Sequence, residues 1–98
     1  MKVLIVGLGL MGGAYAYRLA NKGYTVYGSD INMDAIDYAL EKKFIQNGSV
    51  NPEDFIKDSD LIVLAIYPAA ILSFINRSSS LGIGRLLIKL CNMSERIL

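Results

Sequence analysis

With 98 residues, the chain has room for one small domain and one core. Ten basic and nine acidic residues give a formal net charge of +1, and the basic ones are scattered, so no basic patch points to nucleic acid or an anionic membrane. Histidine is absent and there is one cysteine, which removes the commonest general base and metal ligand and excludes an internal disulfide. Cys91 fits a reducing compartment and reads as a small apolar residue at a strand end rather than a nucleophile. Hydrophobic residues are 53% of the chain and the mean hydropathy is +0.39. Parallel strands buried on both faces account for part of that. The rest implies apolar surface for a second copy of the chain or a further domain to cover.

Residues 2–6 read as a buried strand, a short apolar run ended by glycine. Residues 11–22 read as a helix with Gly12, Ala16, Leu19 and Ala20 on one face, stopped by Gly23. A second strand follows at 25–28 and ends at Ser29-Asp30. Asn32 can cap a helix running to about residue 42, with Ala35, Ile36, Ala39 and Leu40 inward. Phe44-Ile45 is the expected third strand. Asn51-Pro52 places a cap before a proline at the first helical position, so 53–57 reads as one or two turns. Residues 61–66 form the most apolar strand, which Tyr67-Pro68 ends before a helix at 69–76. A polar, glycine-bearing link at 77–84 leads to a fifth strand at 85–90. The alternation predicts an α/β domain: a doubly wound, Rossmann-type, mostly parallel sheet in three αβα layers, strand order 3-2-1-4-5.

Chemistry concentrates at Gly7-Leu8-Gly9-Leu10-Met11-Gly12, between the first strand and the first helix, with Asp30 at the end of the second strand. Strand, glycine turn, helix, strand and acid in that order form a dinucleotide pattern. Gly7 allows the sharp turn, Gly9 lets a pyrophosphate approach the backbone, and Gly12 lets the helix lie against the strands. The first free N–H groups, near Leu10, Met11 and Gly12, then face the phosphates with the helix dipole behind them. Asp30, followed by Ile31, can accept both ribose hydroxyls of an adenosine and repels a 2′-phosphate, which favours NAD over NADP. In such a sheet the ligand crosses the carboxyl ends of the first and fourth strands, so backbone groups of Ala65, Ile66 and Tyr67 are candidates for its nicotinamide side. No catalytic residue and no metal ligand is assigned.

The first 16 residues also imitate a secretory signal: Met1-Lys2, an apolar run, then Ala14-Tyr15-Ala16. Glycines at dinucleotide spacing inside that run, with Asp30 following, argue against it. The run is too short to span a bilayer, and a cytoplasmic chain is expected.

Three segments together resemble the N-terminal domain of the prephenate dehydrogenase family: residues 3–13 with their doubled glycine, Tyr27-Gly28-Ser29-Asp30-Ile31-Asn32, and 60–68 with its Leu-Ala-Ile-Tyr-Pro end. The resemblance covers about residues 1–76. It implies NAD-dependent oxidative decarboxylation of prephenate to 4-hydroxyphenylpyruvate, on the way to tyrosine. It matches Gly7, Gly9 and Gly12 to the pyrophosphate turn and Asp30 to the ribose acid. In that family a histidine that polarises the substrate hydroxyl and an arginine that holds its carboxylate come from beyond the core of the first domain. A helical C-terminal domain completes the pocket and dimerises.

Family members carry an aspartate and a following lysine after the fifth strand, where this chain reads Lys89-Leu90-Cys91-Asn92-Met93-Ser94-Glu95-Arg96. The resemblance therefore implies one dinucleotide-binding domain over 1–98 with a divergent or truncated end from 76, inactive as an isolated chain. Arogenate and β-hydroxyacid dehydrogenases share parts of the pattern. A non-catalytic nucleotide-binding or assembly module is the alternative of a different class.

Overall fold

A computed structural model describes residues 1–66, 73 and 76 and the backbone of 87–90. The elements run β1 (Lys2–Val6), α1 (Leu10–Asn21), β2 (Thr25–Ser29), α2 (Met33–Glu41), β3 (Asn47–Ser49), α3 (Glu53–Ile56), β4 (Leu61–Leu64) and β5 (Leu87–Leu90). All strand pairs are parallel, and the spatial order is β3-β2-β1-β4-β5, the expected doubly wound arrangement. The sheet reverses its winding between β1 and β4, which pair from Val3↔Leu61 to Val6↔Leu64.

Alternation along β1 builds the layers. Val3 and Ile5 enter a cluster with Ala16 of α1 and Ile36 and Ala39 of α2. Leu4 and Val6 face the other way, onto Phe55 and Ile56 of α3 with Ile62 and Leu64 of β4. Val3, Leu4 and Ile5 are fully buried, so both faces of the central strand are covered, as the unbroken apolar run requires. The segment that imitates a secretory leader is thus the centre of the sheet and the first helix packed on it. Among the described residues no helix is long and apolar enough to cross a membrane.

The third strand differs from expectation. Phe44-Ile45 does not form it; Asn47–Ser49 does, pairing Tyr27↔Asn47, Gly28↔Gly48 and Ser29↔Ser49. Lys43 at φ 62° closes α2, with Phe44 N–H donating to Ala39 O at 2.9 Å. Ile45 then drops its side chain into the core, 4% exposed, and Gln46 N–H donates to Val26 O at 2.8 Å to start the pairing. The apolar signal belongs to the core plug, and the polar triplet beyond it makes the ladder. Gly48 fits because a Cβ there would lie 2.6 Å from Ile36 Cγ2.

Smaller shifts occur at element ends. β2 runs one residue further, to Ser29, and α3 is a single turn, Glu53–Ile56, with Pro52 as its cap residue in place of Asn51. The fourth strand stops at Leu64, and the described part of the fifth is Leu87–Leu90. The link expected at 77–84 and the strand-end role of Cys91 lie outside the described residues, as does most of the helix expected at 69–76.

Candidate functional site

β1 ends at Val6 and the chain turns at Gly7, whose φ of +98° is a left-handed conformation that disfavours any Cβ. A Cβ there would also stand 2.5 Å from Ala65 O and 2.8 Å from Ile66 Cγ2. The turn is therefore wedged against the chain leaving β4, and Ala65 N–H donates to Val6 O at 2.8 Å. Ala65 and Ile66 sit just beyond the strand, at the reversal point of the sheet. Tyr67 lies outside the described residues.

Gly12 is the second constraint. A Cβ on it would fall 1.6 Å from Gly7 O, so α1 can cross the turn this closely only at a residue without a side chain. A Cβ on Gly9 would meet nothing within 4 Å, leaving open space over the backbone at the head of α1. Gly13 N–H donates to Gly9 O at 2.8 Å, the first bond of the helix. The N–H groups of Leu10, Met11 and Gly12 precede that ladder. Gly9 supplies no side-chain cap and the first turn carries no acid. By contrast, Asn32 caps α2, accepting from Asp34 N–H at 2.9 Å, and Asp34 lies in its first turn. The positive end of α1 thus has neither a side-chain cap nor an acid in its own first turn.

Asp30 follows β2 and does more than its spacing suggested. Its Oδ2 accepts from Leu8 N–H at 2.8 Å, and its Oδ1 accepts from Asn32 N–H at 2.9 Å. Gly7 N–H donates to Ser29 O at 2.8 Å beside them. Two adjacent bonds therefore tie the glycine turn to the end of β2. Leu8 is 8% exposed, and its Cδ1 would lie 2.9 Å from a Cβ on Gly28. Among the described residues, Ile31, at 97% exposure, and Leu10, at 83%, are the most exposed of the large apolar side chains. The structure thus brings Gly7, Leu8, Gly9, Leu10, Met11, Gly12, Asp30, Ala65 and Ile66 to the carboxyl edge of the central strands, with Ile31 one residue along.

These residues can do two things chemically. N–H groups at an uncapped helix start, beside open space, can donate to a diphosphate. A carboxylate at the adjoining strand end can accept from paired hydroxyls. The arrangement fits a dinucleotide on both counts. Among the described residues no group of three or more potential metal ligands occurs.

A sequence profile of the NAD binding domain of 6-phosphogluconate dehydrogenase matches residues 2–96. Prephenate dehydrogenase from Aquifex aeolicus, solved with hydroxyphenyl propionate and NAD+, is 26% identical with a TM-score of 0.82, over 94% of this chain and 33% of that one. Arogenate dehydrogenase from Synechocystis shares the fold at 23% identity and a TM-score of 0.74, over 79% of this chain and 27% of that one. The alpha subunit of the fatty acid oxidation complex of Idiomarina loihiensis is 32% identical over 63% of this chain and 12% of its own length. The chain spans between about a quarter and a third of the length of these two dehydrogenase structures and about an eighth of that curated relative.

Proposed function

We propose that this chain, which belongs to the family of NAD binding domains represented by that of 6-phosphogluconate dehydrogenase, is the cofactor half of a prephenate dehydrogenase-like enzyme. It is an NAD-binding domain of oxidoreductase type. The observation that carries the placement of the cofactor is the glycine turn itself: Gly9 open above, Gly12 closed against Gly7, and Asp30 bonded to Leu8 N–H beside an uncapped α1. The likeness to the Aquifex aeolicus enzyme and the Leu-Ala-Ile-Tyr-Pro segment support prephenate as the substrate class.

In this reading the N–H groups of Leu10, Met11 and Gly12 donate to the diphosphate, and the α1 dipole favours its charge. Asp30 accepts from the adenosine ribose hydroxyls, and its charge disfavours a 2′-phosphate at that position. Ile31 offers an exposed apolar face next to the ribose. Backbone groups of Ala65, Ile66 and Tyr67 border the nicotinamide half. Bound NAD+ supplies a hydride acceptor. The chain contains no histidine to take a proton from a substrate hydroxyl. That group, and the one holding the substrate carboxylate, come from a further domain or subunit that covers the exposed apolar surface beside the turn. The cytoplasm is its proposed setting.

Calorimetry with NADH, paired with an assay of NAD+ reduction by prephenate, tests this. Saturable NADH binding without turnover by the isolated chain is expected. Absence of binding at millimolar NADH refutes the cofactor reading. Turnover by the chain alone refutes the assignment of the proton-transfer group to another domain.

A further inference from the structure

We infer that Asp30 is a positioning residue for the diphosphate subsite as well as a ribose ligand; this rests on the reading of the glycine turn as the NAD site. A carboxylate offers about four acceptor positions, two on each oxygen. In the ligand-free fold one position on Oδ2 takes Leu8 N–H and one on Oδ1 takes Asn32 N–H, at 2.8 and 2.9 Å. One position on each oxygen remains, which matches the two hydroxyls of a ribose. The strap and the ribose therefore share Asp30 without competing.

The strap, Leu8 N–H to Asp30 Oδ2, adds a side-chain hold to a segment otherwise fixed by backbone bonds and the buried Leu8 side chain. Gly7 is in a left-handed conformation and is anchored through its N–H to Ser29 O. A Cβ on Gly9 would touch nothing, so no packing orients that residue. Between them stands Leu8, fixed by its buried side chain and by Asp30. Two residues further on, Leu10 begins the row of N–H groups that precede the helical ladder. Aligning those donors before a ligand arrives lowers the cost of binding one. Asp30 thus acts on the diphosphate through backbone it holds in place.

Its charge has the opposite effect, since a carboxylate beside the subsite repels an anion. That opposition makes the inference testable with inorganic pyrophosphate, which has no ribose. Asp30→Asn removes the charge and leaves one oxygen, which cannot hold both backbone N–H groups in the same way. Amide shifts of Leu10, Met11 and Gly12 in the 15N-labelled chain report pyrophosphate binding in wild type and variant. If loss of the strap leaves about a tenth of molecules with the donors aligned, and loss of the charge returns about threefold, pyrophosphate binds about threefold more weakly to Asp30→Asn. Equal or tighter binding by the variant, with NADH still bound by wild type, overturns this inference alone. Failure of NADH to bind wild type overturns it together with the reading it rests on. Independently of whether the variant folds, the wild-type chain is expected to show a scalar coupling through the hydrogen bond between Leu8 15N and Asp30 13Cγ. Its absence overturns the strap.

Discussion

Adding one methyl group at Gly9, Gly12 or Gly13 is the same chemical change, yet the fold predicts three different outcomes. At Gly12 the new Cβ falls 1.6 Å from Gly7 O, and ordinary contact begins near 3.4 Å. Helix and turn must therefore separate by about 1.8 Å, a forced overpacking that costs about 1–3 kcal/mol or more. Alanine's better helix propensity returns about 0.8–1 kcal/mol. At Gly13 the nearest atom, Leu8 O, would be 3.7 Å away, so only the propensity gain remains. At Gly9 a Cβ meets nothing, so the fold is kept and the methyl occupies the space proposed for the diphosphate. Thermal unfolding read beside NADH titration separates the three. For a domain of this size 1 kcal/mol shifts Tm by about 4–8 °C. Gly12→Ala is expected to lower Tm by up to about 15 °C and Gly13→Ala to raise it by a few degrees. Gly9→Ala should leave Tm nearly unchanged and weaken NADH binding at least about tenfold, the scale of one lost hydrogen bond to a charged group. Equal melting of Gly12→Ala and Gly13→Ala would refute the close-approach argument. Full NADH affinity in Gly9→Ala would refute the use made of the open space.

Further expectations follow from single contacts. Gly7→Ala combines a φ of +98° with a 2.5 Å approach to Ala65 O, and should cost about 2 kcal/mol or more in urea unfolding. Asn32→Ala removes the α2 cap and should cost about 1 kcal/mol in the same measurement. Ile36→Ala, in a side chain 1% exposed between α2 and the sheet, should cost about 2–5 kcal/mol. Asp30→Arg should move the NADH/NADPH affinity ratio toward NADPH while weakening both, because arginine cannot accept from Leu8 N–H. An unchanged ratio would remove Asp30 from the ribose site.

The strand order was legible because each strand but one carries its own apolar run. β1 and β4 are buried on both faces, and their continuous Val, Leu and Ile runs announce it. β3 was misplaced because an edge strand of Asn47-Gly48-Ser49 has no apolar signature, whereas Ile45, which fills the core beneath it, has one. At the site, glycine spacing revealed the turn, since the steric demands at Gly7 and Gly12 act within a few residues of sequence. The second use of Asp30 was not legible. A bond between residues 8 and 30 depends on β1 and β2 lying side by side and in register, which spacing along the chain does not encode.

The turn from Gly7 to Gly12, with Asp30, is proposed to form the NAD site. Titrating NADH into the 15N-labelled chain and following its amide signals tests that claim directly. The largest shifts are expected at Leu8 to Gly12 and at Asp30 and Ile31, saturating with a single binding curve. Shifts confined to residues away from the carboxyl edge of β1, β2 and β4, or none at millimolar NADH, would contradict it.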